Sequence, residues 1–215
     1  MKKTDVVIID YGVGNLFNLQ RAFNTLGVNS MISNEKEKIL NAERILLPGV
    51  GAFETGMKKL HENDLLTTLL EFADSGKPMM GICLGMQLLM SESEENGNCA
   101  GLNLIPGKVI RFQEPDVKSG VFKIPHIGWS ALNPLVQANL LENLETTPFM
   151  YFIHSYLVVP DDPSFCVAAT SYGKDTFCSV IKRKNVSGCQ FHPERSGDYG
   201  LNLLRNFVLE KRENS

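Results

Sequence analysis

Three residues in this chain have the types and the spacing for acyl transfer through a thiol. Cys83 lies between Gly81 and Gly85, the thiol counterpart of the nucleophile elbow G-x-S-x-G. An elbow of this kind turns sharply from a strand into a helix and lifts the nucleophile clear of the sheet. The flanking glycines remove Cβ atoms that would collide in the turn. The following helix aims its first amides and positive dipole end at the sulfur, which favours thiolate. The amide of Leu84 is then expected to be free to hold an oxyanion. A buried core position is the commonest fate of a free cysteine. The strand–turn–helix setting separates Cys83 from that reading, whereas Cys99, Cys166, Cys178 and Cys189 have no such turn and read as structural.

A cysteine nucleophile needs a base, and the base needs an orienter. Gln190-Phe191-His192-Pro193-Glu194 supplies both. His192 follows an extended apolar segment and is expected at a strand end, where Pro193 stops the ladder. Glu194 can turn back to one ring nitrogen while the other faces the thiol. The carboxylate would fix the tautomer and stabilise the imidazolium.

The elements that must position these groups alternate in the first half of the chain. Val6 to Ile9, Arg44 to Leu47 and Pro78 to Ile82 are short apolar runs of the buried parallel type. Asn15 to Leu26 reads as a helix stopped by Gly27, Leu65 to Ala73 as a helix capped by Asp64 and stopped by Gly76, and Leu84 to Met90 as a third. The second half is richer in strands: Lys108 to Phe112, Met150 to Val159, Cys166 to Ala169, Phe177 to Lys182 and Val186 to Phe191. A helix from Tyr199 to Lys211 closes the chain. The expected fold class is three-layer α/β, a mostly parallel sheet flanked by helices with an added antiparallel region. Ligands in such sheets bind at the carboxyl ends of strands.

Composition fits one domain, expected over residues 4–213. Of the 215 residues, 43% are hydrophobic and 21% charged, with a formal net charge of −3. That balance argues against a nucleic-acid binder, which needs a basic field. No apolar run is long enough to span a membrane, and the run after Met1-Lys2-Lys3 is too short for a signal peptide. The expected location is cytoplasmic. An odd number of cysteines without a C-x-x-C pair, and four scattered histidines, predict no disulfide framework, no metal and no cofactor. Gly12-Val13-Gly14 follows the first strand, but Phe17 stands where a dinucleotide site needs its third glycine.

Gly81-Ile82-Cys83-Leu84-Gly85-Met86-Gln87 together with Phe191-His192-Pro193-Glu194 resembles the class I glutamine amidotransferases, and Pro48-Gly49-Val50-Gly51 resembles their oxyanion loop. Four further segments narrow the resemblance to the glutaminase subunits of imidazole glycerol phosphate synthases. They are Asp10-Tyr11-Gly12-x-Gly14-Asn15, Pro125-His126-x-Gly128-Trp129, Tyr151-Phe152-x-His154-Ser155-Tyr156 and His192 to Gly197. The likeness runs from about residue 5 to 210. Cysteine peptidases share the elbow but lack a late His-Pro-Glu. A subunit that only binds a partner would have no need of Cys83, His192 and Glu194.

The resemblance implies a flavodoxin-like fold and a Cys83-His192-Glu194 triad that hydrolyses glutamine to glutamate and ammonia. Val50, Gly51 and Leu84 would form the oxyanion hole. Gly51, Gln87, Glu95, Ser155 and Tyr156 would hold glutamine, with Glu95 answering its ammonium. The implied partner is a (β/α)8-barrel synthase subunit that receives the ammonia and makes imidazole glycerol phosphate and AICAR in histidine biosynthesis. Asn15, Trp129 and Arg195 would face it. Ser130 departs from the pattern, since most histidine-pathway subunits carry asparagine there. Paralogues of these subunits serve surface-polysaccharide pathways, where a sugar takes the ammonia, so the acceptor stays open at this point.

Overall fold

The computed structural model describes residues 4–113, 122–144 and 147–210. Its elements are β1 (Val6–Ile9), α1 (Leu16–Thr25), β2 (Ser30–Ser33), α2 (Lys36–Asn41), β3 (Ile45–Leu47), α3 (Phe53–Glu62), α4 (Leu66–Asp74), β4 (Met79–Ile82) and α5 (Leu84–Leu88). The chain continues through β5 (Glu92–Ser93), β6 (Cys99–Ala100), β7 (Gly107–Arg111), β8 (His126–Ala131), β9 (Asn133–Pro134), β10 (Phe149–His154) and β11 (Tyr156–Pro160). It ends with β12 (Cys166–Tyr172), β13 (Asp175–Arg183), β14 (Val186–Cys189) and α6 (Gly197–Leu209).

The main sheet runs β2-β1-β3-β4-β14-β13-β11-β7-β5-β6. Neighbours from β2 to β14 are parallel. From β14 through β13 and β11 to β7 they are antiparallel. The parallel strands β1, β3, β4 and β14 are buried along their whole length, because helices cover both faces. Val7, Ile9 and Leu47 pack with Ile39, Phe53, Leu60, Leu69 and Phe72 of α2, α3 and α4 on one side. Val6, Ile8 and Leu46 pack with Leu19 and Phe23 of α1 and Leu203, Leu204 and Phe207 of α6 on the other. The period-2 alternation of β1 therefore feeds two cores, which is the expected three-layer arrangement with its antiparallel extension.

The structure departs from the sequence pattern in several elements. The extended run Met150 to Val159 is two strands in two sheets. β10 stops at His154 and pairs with β8 as a separate ribbon, and after Ser155 β11 starts at Tyr156 in the main sheet. An apolar alternation carries no mark of which neighbour each half will find. Asp64 does not cap the helix after it. Its backbone is left-handed, φ +54°, and Leu65 holds the N-cap position without a side-chain bond. The helix after Cys83 ends at Leu88 rather than Met90. The last helix begins at Gly197; Lys211, and residues 211–213 of the expected domain, lie outside the described residues. Among the described residues no helix is long and apolar enough to cross a membrane.

Candidate active site

Strand pairing brings the cysteine and the histidine together. β4 and β14 are parallel neighbours with Ile82 opposite Cys189. The Cys83 amide continues that ladder by donating to the Cys189 carbonyl at 2.8 Å. Beyond it, the chain leaving β14 carries Gln190 and then His192 past the sulfur. The Gln190 amide nitrogen lies 3.7 Å from Cys83 Sγ.

The elbow is as tight as its glycines predict. Cys83 has φ +54° and ψ −112°, a conformation that costs a side-chain-bearing residue about 1–3 kcal/mol. A Cβ on Gly81 would sit 2.6 Å from the Gly85 carbonyl, and one on Gly85 would sit 1.8 Å from the Leu47 oxygen. Both distances are impossible, so the turn requires glycine at each position.

His192 is fixed at both its backbone and its ring. Its N–H donates to the Tyr151 carbonyl at 2.9 Å. The Ser196 hydroxyl donates to the His192 carbonyl at 2.7 Å and accepts from the Tyr151 amide at 3.0 Å. Nδ1 is 2.9 Å from Glu194 Oε1, so the carboxylate turns back as expected, helped by a 3-10 turn over Pro193–Arg195. Nε2 is buried without a hydrogen bond. Burial works against the charged ring, yet interaction with Cys83 and with Glu194 overrides it and raises the His192 pKa to about 10. That pairing favours the imidazolium, the form that can give a proton.

Nine of the expected residues line one cavity of about 330 Å³: Val50, Gly51, Cys83, Leu84, Gln87, Glu95, Ser155, Tyr156 and His192. Glu194 stands behind His192. Glu95 accepts from the Phe53 amide at 2.8 Å and so caps α3 from outside it. The Gln87 side-chain nitrogen donates to the Tyr156 carbonyl and to Gln190 Oε1, each at 3.1 Å.

The Leu84 amide is not free. It donates to the Gly49 carbonyl at 3.3 Å, so the Pro48–Gly51 loop occupies the place an oxyanion would take. Tyr11 fastens this loop, its hydroxyl donating to the Pro48 carbonyl at 2.6 Å from a fully buried position. Close packing holds the loop down, since a Cβ on Gly49 would meet the Tyr11 hydroxyl at 2.4 Å and Leu84 Cβ at 2.9 Å.

Asn15, Trp129 and Arg195 lie outside the cavity. Asn15 precedes α1 and makes no side-chain cap. Trp129 is 54% exposed on β8 and meets Tyr151 of β10 edge to face at 5.9 Å. The Arg195 guanidinium lies 4.1 Å over the Tyr151 ring, a cation–π contact that ties the Pro193–Arg195 turn to the ribbon.

The family model described as glutamine amidotransferase class-I matches residues 7–211. This chain belongs to that family. The amidotransferase is 43% identical over 203 residues to the imidazole glycerol phosphate synthase subunit HisH of Syntrophotalea carbinolica, covering 94% of this chain and 98% of that protein. It is 44% identical over 203 residues to the subunit of the same name from Chlorobium chlorochromatii, with the same coverage. Among solved structures, PurLQS from Thermotoga maritima is similar in fold, with a TM-score of 0.71, 19% identity, and coverage of 94% of this chain and 96% of that one.

Sequence reasoning missed two contributors to the amidotransferase site. Gln190 touches the sulfur. Its only signal was its place two residues before His192 on an extended segment, which puts both side chains on one side. Tyr11 holds the Pro48–Gly51 loop across the β1 end, a contact that needs the sheet order to be known. His154 also lines the cavity.

Proposed function

We propose that this amidotransferase is the glutaminase subunit of an imidazole glycerol phosphate synthase, working as one domain over residues 4–213 in the cytoplasm. The observation that carries this reading is the convergence of Cys83, His192 and the glutamine-binding candidates on one cavity, with Glu194 bonded to His192 from behind. Cys83 sulfur attacks the side-chain carboxamide carbon of glutamine. The oxyanion is taken by the Leu84 amide and an amide of Val50 or Gly51 once the loop releases Leu84; each such donor is worth about 3 kcal/mol. His192 gives its proton to the leaving nitrogen as the carbon–nitrogen bond breaks, leaving a thioester and ammonia. Water then attacks the thioester, His192 takes its proton, and glutamate departs.

Gln87, Glu95, Ser155, Tyr156 and Gly51 hold the substrate in this reading, with Glu95 meeting the ammonium through a charge-assisted bond. The β8–β10 ribbon supports a large partner. It exposes Ile127, Trp129, Phe149 and Ile153, with Ile127 paired to Ile153 and Trp129 to Tyr151. An apolar face of this kind marks an interaction site, and a (β/α)8-barrel synthase subunit would cover it. Ile153 also borders the cavity, so ammonia has a short way from Cys83 to that face. Keeping it from water preserves its nucleophilicity.

The test is glutamate release from glutamine by the purified chain, alone and with a histidine-pathway barrel subunit and its phosphoribosyl ligand. Strong ligand-dependent stimulation that Cys83→Ala abolishes supports the reading. Basal release that the barrel never stimulates would assign the ammonia to another acceptor and sink the synthase assignment.

A further inference from the structure

Two histidines outside the triad are buried between the ribbon and the main sheet. His126 Nε2 lies 2.9 Å from Ser130 Oγ. His126 Nδ1 lies 3.2 Å from His154 Nε2. His154 Nδ1 lies 2.8 Å from the Tyr156 carbonyl. Stacking fixes the His126 ring between Phe152, centroids 4.9 Å apart, and Tyr172, 3.9 Å apart. Burial holds both imidazoles neutral, His126 down to about 4 and His154 to about 3.

These contacts allow one arrangement of protons. A carbonyl only accepts, so His154 carries its hydrogen on Nδ1. Its Nε2 is then an acceptor, and His126 must donate to it from Nδ1. That leaves His126 Nε2 as an acceptor, and the Ser130 hydroxyl donates to it. Every bond points from Ser130 towards Tyr156. The Tyr156 carbonyl also receives Gln87, and Gln87 binds Gln190, which touches Cys83. Ser130 sits beside Trp129 on the exposed strand, facing inward while Trp129 faces out.

We propose that Ser130, His126 and His154 form a one-way hydrogen-bond chain that positions Tyr156 and Gln87 for glutamine, joining the partner-facing strand to the substrate cavity. Ser130 is a positioning residue, acting through the two rings. The proposal rests on the glutaminase reading above.

Two readouts test it. In a long-range nitrogen–proton correlation spectrum of histidine-labelled protein carrying His61→Gln, His126 and His154 appear as neutral Nδ1–H tautomers. This readout is independent of catalysis. In glutaminase assays with the barrel subunit and its ligand, Ser130→Ala raises KM for glutamine about three- to tenfold, the loss of one buried bond, with kcat within about twofold. Ser130→Asn, whose amide can also donate, restores KM. Nε2–H tautomers, a charged ring at neutral pH, an unchanged KM in Ser130→Ala, or no rescue by Ser130→Asn would each overturn the chain. Wild-type protein without turnover overturns the glutaminase reading itself, a failure distinct from an active wild type with an indifferent Ser130→Ala.

Discussion

The Leu84 amide donates to the Gly49 carbonyl at 3.3 Å, and in the proposed mechanism this contact closes the oxyanion hole. The Tyr11 hydroxyl holds the same loop through the Pro48 carbonyl. The proposed mechanism therefore requires the loop to turn, and Gly51, at φ +99°, gives it a pivot that other residues resist. Tyr11→Phe removes the fastening. It is expected to raise partner-free glutamate release several-fold while lowering stability by about 1–3 kcal/mol, because the Pro48 carbonyl is left unpaired. Basal turnover and urea unfolding check both halves.

The raised pKa of His192 makes stability depend on pH. The ordinary value is 6.5 and the folded value about 10. Protonation favours the fold, so the contribution is full below about pH 6.5 and is lost as pH rises through about 10. The difference in unfolding free energy between the wild type and His192→Gln should shrink steadily across that window. Chemical denaturation at several pH values measures it, and a constant difference would contradict the pairing with Glu194 and Cys83.

Backbone strain at Cys83 predicts a trade of activity for stability. Cys83→Gly relieves the left-handed φ, whereas Cys83→Ala keeps it. Both lose turnover. Cys83→Gly should nonetheless be more stable than Cys83→Ala by about 1 kcal/mol, after allowing for glycine's greater unfolded-state entropy. Denaturation midpoints of the two variants decide this.

Gln190 is fully buried and bridges Gln87 to the sulfur. Gln190→Leu keeps the volume and removes the bridge, and should lower kcat/KM for glutamine about tenfold. Gln190→Glu puts a carboxylate beside the sulfur and should cost more. Steady-state kinetics of the two variants, with the partner present, check the order.

Much of this was legible in the sequence because it is local. The Gly81-x-Cys83-x-Gly85 turn, the apolar strands β1, β3, β4 and β14 and the His192–Glu194 pair are each fixed by neighbours a few residues away. The break at Ser155, the Tyr11 contact and the closed Leu84 amide depend on which strands and loops meet, and a one-dimensional pattern does not carry that. Asp64 shows the limit of local rules as well: a residue of the capping type stands one position too early and adopts a left-handed turn instead. His126 and His154 looked unremarkable as separate histidines, since only the antiparallel register of β8 and β10 sets them opposite each other. Ser130, a departure from the expected asparagine, retains a hydrogen-bond donor at that position.

Cys83 as the glutamine nucleophile is open to covalent labelling. The chain would be treated with a glutamine-like diazoketone in the presence of the barrel subunit and its ligand, digested, and read by mass spectrometry. One adduct is expected, on the peptide carrying Cys83, prevented by excess glutamine and absent from His192→Gln at matched times. Labelling spread over Cys99, Cys166, Cys178 or Cys189, or no adduct on Cys83, would contradict it.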